Sequence, residues 1–256
     1  MTWRVPLALA FGLVVAAPAG GQAPPETNPC KLYRTAKCPD LIMAPPSNLY
    51  VGRSPKGHLR LYASNRIINV GAGPLELKGT RSGAREMVAR QVLYRRGNRP
   101  IVIPDAGEIY FKFVDSGRGS YWKYSHAASF ELWTLDPQGT RVRLRRTGPK
   151  LDYCFRDLQR VRSYARTPRR QIYPACSQAR GLASDRLGVS PGWADIYPST
   201  YPENWIDITG LKGCFAFVHR ADPLGKIAEE SDGNNVGVRH IRLPPVHGSV
   251  APRGCP

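Results

Sequence analysis

Leu59-Arg-Leu-Tyr-Ala-Ser-Asn-Arg-Ile-Ile-Asn-Val70, closed at once by Gly71-Ala-Gly-Pro74, is the stretch that decides the fold class. Apolar and polar positions interleave along it, as they do where a strand sends successive side chains to opposite faces. The Gly/Pro tetrapeptide then supplies a turn. Outward from this segment the same grammar recurs. Met87–Tyr94, Glu108–Val114, Phe130–Thr134, Arg141–Arg145, Cys214–His219 and Val236–Leu243 are short apolar or alternating runs. Between them lie the turn signals Arg96-Gly-Asn98, Asp136-Pro-Gln-Gly139 and Asp232-Gly-Asn-Asn235. Short strands with regular turns predict an all-β protein, an antiparallel β-sandwich (or barrel) with long loops. Residues 156–187 break the rhythm: arginines are frequent, apolar positions few, and no period emerges. That stretch reads as a long insertion tied down by Cys154 and Cys176. No internal repeat is present.

The chain has 256 residues, with 37 Lys+Arg against 19 Asp+Glu and a formal charge of +18. This length accommodates one large domain or two small ones. The 42% hydrophobic content argues for a packed core rather than a disordered basic tail. A coiled coil, a collagen and a multi-span membrane protein are excluded. The basicity is unevenly spread: residues 141–186 hold 12 Arg and Lys150 against Asp152, Asp157 and Asp185, an excess of ten. Such a patch attracts anionic surface polymers. Nucleic acid is disfavoured, since no zinc-finger, helix-turn-helix or RNA-recognition motif accompanies the charge.

The N-terminus combines Arg4, an apolar run from Val5 to Ala17 and the small residues Ala17-Pro-Ala19. This reads as a cleaved signal peptide over 1–19, with cleavage after Ala19 or a few residues later. The run is short of the ~20 apolar residues that span a bilayer, so no transmembrane segment is expected. A Pro-rich linker over 20–37 and a domain over 38–256 follow. The expected location is secreted or periplasmic. Six cysteines fit it: Cys30, Cys38, Cys154, Cys176, Cys214 and Cys255, none in a C-x-x-C pair. Three disulfides allow 15 connectivities; chain order suggests Cys30–Cys38, Cys154–Cys176 and Cys214–Cys255.

The most informative segment is Gly188-Val-Ser-Pro-Gly-Trp-Ala-Asp-Ile-Tyr197, followed by Asn204-Trp-Ile-Asp-Ile-Thr-Gly-Leu211. Here the chain resembles the lysyl oxidase family, whose catalytic domain carries G-[LI]-S-P-G-x-x-D-x-Y and then W-I-D-I-T-[DG]-[VL]. Gly213-Cys-Phe-Ala-Phe-Val and Glu230-Ser-Asp-Gly-Asn-Asn-Val236 extend the resemblance downstream. Cys38-Pro-Asp-Leu41, Leu59–Glu76 and Phe130-Glu-Leu-Trp133 extend it upstream, to roughly residues 38–243. In that family copper and oxygen convert a tyrosine and a lysine into lysine tyrosylquinone. The quinone deaminates primary amines, protein lysines among them, to aldehydes, releasing hydrogen peroxide and ammonia. The resemblance places the cofactor tyrosine at Tyr197. The lysine belongs to an E-G-H-K-A-S-F-C-L-E-D pattern; Thr147-Gly-Pro-Lys-Leu-Asp-Tyr-Cys-Phe-Arg-Asp157 aligns with it without a gap and puts it at Lys150.

The family's copper ligands form H-x-H-[WY]-H, three imidazoles on one strand face. Aligned through Trp122 and Phe130-Glu-Leu132, those positions hold Gly119, Tyr121 and Lys123, none a histidine. His126 lies three residues further on, and His58, His219, His240 and His247 show no chelating spacing. The resemblance therefore implies a secreted lysyl-oxidase-like protein with the quinone pair retained and the metal site replaced, its activity impaired or altered. The alternative is a non-catalytic extracellular module that binds anionic polymers. Other catalytic patterns are weaker. Ser190 is not in a G-x-S-x-G elbow, since proline follows it; Glu229/Glu230 and Asp195/Asp207 pair as a dyad only by chance. Asp232-Gly-Asn-Asn235 is expected to form a turn rather than a calcium loop.

Overall fold

The computed structural model describes residues 28–114, 117–246 and 252–255. The signal peptide expected over 1–19, the first part of the linker and His247 lie outside the described residues. Among them are one short helix, α1 (Pro29–Leu32), and the strands β1 (Ala36–Lys37), β2 (Leu41–Met43), β3 (Ser47–Arg53), β4 (Leu59–Asn69), β5 (Leu75–Arg81), β6 (Glu86–Arg95), β7 (Asn98–Ile103), β8 (Glu108–Val114), β9 (Gly119–Tyr124), β10 (Ala128–Leu135), β11 (Arg141–Thr147), β12 (Gln159–Arg160), β13 (Ser184–Val189), β14 (Trp193–Tyr197), β15 (Trp205–Asp207), β16 (Gly213–Ala221) and β17 (Val236–Leu243). All pairings are antiparallel. One sheet runs β13-β5-β6-β8-β9, with β1 and β7 also on β6. A second runs β11-β10-β16-β17, and a third β12-β14-β4-β15, with β2 and β3 also on β4. The protein is an all-β, sandwich-like assembly with long loops and three disulfides, as the strand grammar predicts.

β4 shows why. Leu61, Ala63, Asn65, Ile67 and Asn69 are buried along one face, and the four other strands β2, β3, β14 and β15 pair with it. Its inward side chains join a core with Leu75, Leu77, Ile109, Trp122, Leu132, Phe155 and Phe217. Of the polar inward residues, Asn65 accepts from the Tyr153 hydroxyl and Asn69 binds main chain. Asn69 donates to the carbonyls of Gly73 and Val189 and accepts from the Gly71 amide, which fixes the Gly71–Pro74 turn.

The disulfides join Cys30 to Cys38, Cys154 to Cys176 and Cys214 to Cys255, the pairing suggested by chain order. Residues 28–37 correct the linker reading. Asn28 caps α1 by accepting from the Cys30 amide and donates to the carbonyl of Glu229, and Ala36 and Lys37 pair with Arg95 and Tyr94. The domain therefore extends back to residue 28, held by contacts distant in sequence. The 156–187 insertion is irregular, apart from the two-residue β12 paired with β14, until β13 begins at Ser184. Besides Cys154–Cys176, the buried carboxylate of Asp157 holds it through the amides of Ile172 and Ser190. Gly192, at φ +78°, accepts from the Val161 and Arg162 amides, and a Cβ there would collide with Thr167. Only glycine serves at that crossing.

Candidate functional site

The site forms where β9, β14 and the segment after β11 converge. β8 and β9 pair so that Tyr110 lies opposite Lys123 and Lys112 opposite Tyr121, which places these four side chains on one face. The chain leaving β11 passes Gly148-Pro149, and Tyr153 bridges Tyr124 at the end of β9, bringing Lys150 and Asp152 beneath that face. β14 pairs with β4 in the register Tyr197 to Asn65, and the period of two puts Asp195 and Tyr197 on the same side. The loop from β14 to β15 adds Tyr201 and Glu203.

Lys150 is completely buried, its Nζ 4.1 Å from the centre of the Tyr197 ring and 3.9 Å from that of Tyr153. It donates to the carbonyl of Asp152. Tyr197 accepts from the Cys154 amide at 3.0 Å, and Tyr153 and Tyr201 meet its ring edge-on, each at 4.7 Å. The two residues that the resemblance singles out, 47 positions apart in sequence, are thus neighbours. Burial, reinforced by the nearby Lys123 charge, pushes the Lys150 amine well below the ordinary lysine value. Burial, together with Asp195, pushes the Tyr197 phenol well above its own. The two shifts run in opposite senses, the amine's toward its neutral form and the phenol's toward its protonated form.

Lys123 has 1% exposure; its Nζ donates to the Tyr201 hydroxyl at 2.7 Å and lies 5.9 Å from the Tyr197 ring centre. Burial lowers its pKa to about 8, with Glu203 opposing, so the side chain is an ammonium at neutral pH. Asp195 is wholly buried, and among the described residues no side chain bonds either carboxyl oxygen; burial raises it to about 8 against the pull of Lys150, Arg156 and Lys123 and a weak contact with the Ile196 amide. Alongside, Lys112 bridges Asp152 at 2.8 Å and Glu203 at 2.6 Å, and Tyr110 donates to Asp152. Against burial, which raises it, the bonds from Lys112 and Tyr110 hold the Asp152 carboxyl below its usual range. A cavity of ≈ 90 Å³ opens onto this cluster, lined by Arg118, Tyr121, Lys123, Arg156, Tyr197, Tyr201 and the Cys154–Cys176 disulfide.

No protein-family model and no curated protein matches the chain.

Of the three positions aligned with copper ligands, Tyr121 and Lys123 face this cavity and Gly119 starts the strand. Among the described residues, no group of three His, Cys, Asp or Glu side chains is placed to hold a metal ion. The residues present do not fit copper: a glycine, a phenol and an ammonium replace three imidazole donors. His126 is exposed at φ 52° and bonds Ser125, on a different cavity. His219 is buried between the rings of Phe130 and Phe217, and His58 pairs with Asp207 at the surface. Ser190 donates to Asp157, with no histidine beside it. Asp232-Gly-Asn-Asn235 forms a turn. Sequence reasoning named Lys150, Tyr197, Tyr121 and Lys123, set Asp195 aside as half of a chance pair with Asp207, and missed Tyr153, Tyr201 and the Lys112–Asp152–Glu203 bridge. Asp195 is the fixed acidic position of the S-P-G-x-x-D-x-Y stretch and offered a signal; Glu203 offered none.

Proposed function

We propose that the chain is an exported, lysyl-oxidase-like β-sandwich that keeps the quinone-forming pair in place, has exchanged its copper site for a lysine, and acts as a binding module instead of an amine oxidase. The observation that carries this reading is the position of Lys123. Its ammonium occupies the cavity that Tyr197 lines, hydrogen-bonded to Tyr201. A protonated amine offers a metal no lone pair. At 4 Å and an effective dielectric near 20 it repels each unit of metal charge by about 4 kcal/mol. Export is supported by three disulfides and no free cysteine among the described residues. Among those residues no helix is long and apolar enough to cross a membrane.

The partner class is an anionic surface polymer. The arginine-rich stretch lies on two exposed surfaces: β11, an edge strand carrying Arg141 and Arg143, and the 156–186 loop with Arg160, Arg162, Arg169 and Arg170. Edge-strand arginines also discourage strand pairing with other chains, and they remain free to meet polyanions.

The test is to express the protein in a disulfide-permissive compartment with copper, then measure bound metal, quinone staining and peroxide production from alkyl amines. The expected result is substoichiometric copper, no redox-cycling quinone and no peroxide. A quinone stain that disappears in Tyr197→Phe defeats the reading. Retention on an immobilised acidic polysaccharide is expected to weaken in Arg141→Gln/Arg143→Gln.

A further inference from the structure

The cluster under the cavity is electrostatically incomplete. Lys112 is satisfied by Asp152 and Glu203, but no salt bridge among the described residues engages Lys123, Arg118 or Arg156. Whether the buried pair Lys150 and Asp195 is counted or left out, the basic side chains of this cluster outnumber the carboxyl groups by two: Lys112, Lys123, Arg118 and Arg156 against Asp152 and Glu203. The Lys123 ammonium is almost wholly buried yet has one acceptor, the Tyr201 hydroxyl, which leaves two N–H bonds unspent. Buried charges are ordinarily paired, because removing an ion from water costs several kcal/mol. A cavity of ≈ 90 Å³, well above the ~30 Å³ share of one water, adjoins the unspent donors. Arg156 lines the same cavity and supplies a planar donor fork suited to two oxygens of one anion.

We propose that this cavity is an oxyanion-binding site, in which a single carboxylate or phosphate group, free or as the end or pendant group of a larger anion, is held between the Lys123 ammonium and the Arg156 guanidinium, with Tyr121, Tyr197 and Tyr201 forming its walls. The volume has room for one such group. This deepens the proposed function, on which it rests: the amine-oxidase site has become an anion site.

Isothermal titration of the full chain with inorganic phosphate and, separately, acetate, at low ionic strength and against a chloride control, tests it. Binding at one site is expected for at least one of the two, with phosphate the tighter if the group is dianionic. Lys123→Met is expected to weaken it at least tenfold and Arg156→Gln severalfold, while both variants still melt in a single cooperative transition. Should Lys123→Met not fold, Arg156→Gln, near the surface, decides alone. The proposal is overturned if neither anion binds, if only chloride-sensitive nonspecific heat is seen, or if both variants bind as the wild type does. Its failure is distinguishable from failure of the proposed function: copper loading and quinone staining are read on separate samples without added phosphate, and either result can stand without the other.

Discussion

Glu229 and Asp195 are both completely shielded from solvent and both pushed up to about 8, chiefly by burial. Their surroundings differ. One oxygen of Glu229 accepts from the Leu41 amide at 2.7 Å and the other from the Asn235 amide group at 2.6 Å, tying the start of the domain to the turn before β17. Among the described residues no side chain bonds either oxygen of Asp195, which has at most a weak contact with the neighbouring Ile196 amide, while Lys150, Lys123 and Arg156 stand near enough to act on it through their charge. A carboxyl that serves the fold is saturated with hydrogen bonds. One bonded by no side chain, beside cations without a salt bridge among the described residues, marks a region whose arrangement the fold alone does not explain, which is the association expected of functional sites.

The contrast breaks most readily at Glu229. Glu229→Ala strands the Leu41 amide and the Asn235 side chain in the core, and each buried unsatisfied donor costs ~1–3 kcal/mol. A loss of about 3 kcal/mol is expected, read as a fall in melting temperature of roughly 6–12 °C. A loss under about 1 kcal/mol in denaturant titration would dissolve the distinction.

Asp195→Asn tests the other side and is expected to depend on pH. The folded carboxyl ionises near 8 and the unfolded one near its ordinary value of 3.8. The folded state therefore binds the extra proton between those values, and this group's contribution to stability is full below about pH 4 and lost as pH rises toward 8. The groups facing it are Lys150, Lys123, Arg156, Tyr153 and Tyr197. Asparagine carries no such proton, so the variant gains on the wild type as pH rises, by roughly 3–4 kcal/mol between pH 5 and 8. Melting curves at the two pH values check the sign. A gap that is constant with pH would mean that Asp195 is ionised in the folded protein.

How much of this was legible in the sequence follows from where the signals lie. β4, β8 and β17 present the alternation or apolar density that marks a strand, and their predicted bounds agree with the structure to within a residue. β9 was invisible as a periodic strand because Trp122 and Tyr124 fill the apolar core on one face while Lys123 is buried in the polar cluster on the other. Both faces are buried, so no polar/apolar alternation survives. Residues 28–37 read as linker because their anchors, Glu229 and Arg95, are far away in the chain. Lys150 and Tyr197 were found through motif resemblance alone; nothing in composition or spacing brings together two residues whose contact depends on the β4–β14 register. Glu203 and Lys112 meet only through tertiary structure and carried no local mark.

Trp122 and Lys123 bring the contrast down to adjacent residues, one buried as a hydrophobe and the other as a charge. Lys123→Met keeps the length of the side chain and removes the charge. Replacing a buried charge with an apolar group of similar volume is often neutral or stabilising, and here the lost hydrogen bond is a single one to Tyr201. A gain of about 1 kcal/mol at pH 7 is expected. The Lys123 amine titrates near 8 in the folded state against an ordinary 10.5, with Lys112, Arg118 and Arg156 facing it as cations, Lys150 as a second buried amine, Glu203, Asp152 and Asp195 as acids, and Tyr121, Tyr197 and Tyr201 as phenols. The wild type therefore loses stability as pH falls from 10.5 to 8, and the advantage of methionine grows over that range and is constant below it. Melting temperatures of the two proteins at pH 7 and pH 10 read this directly. A methionine variant less stable than the wild type at pH 7 would mean that the ammonium is already satisfied within the protein, and the distinction between the saturated latch at Glu229 and the open cluster at Lys123 would fall.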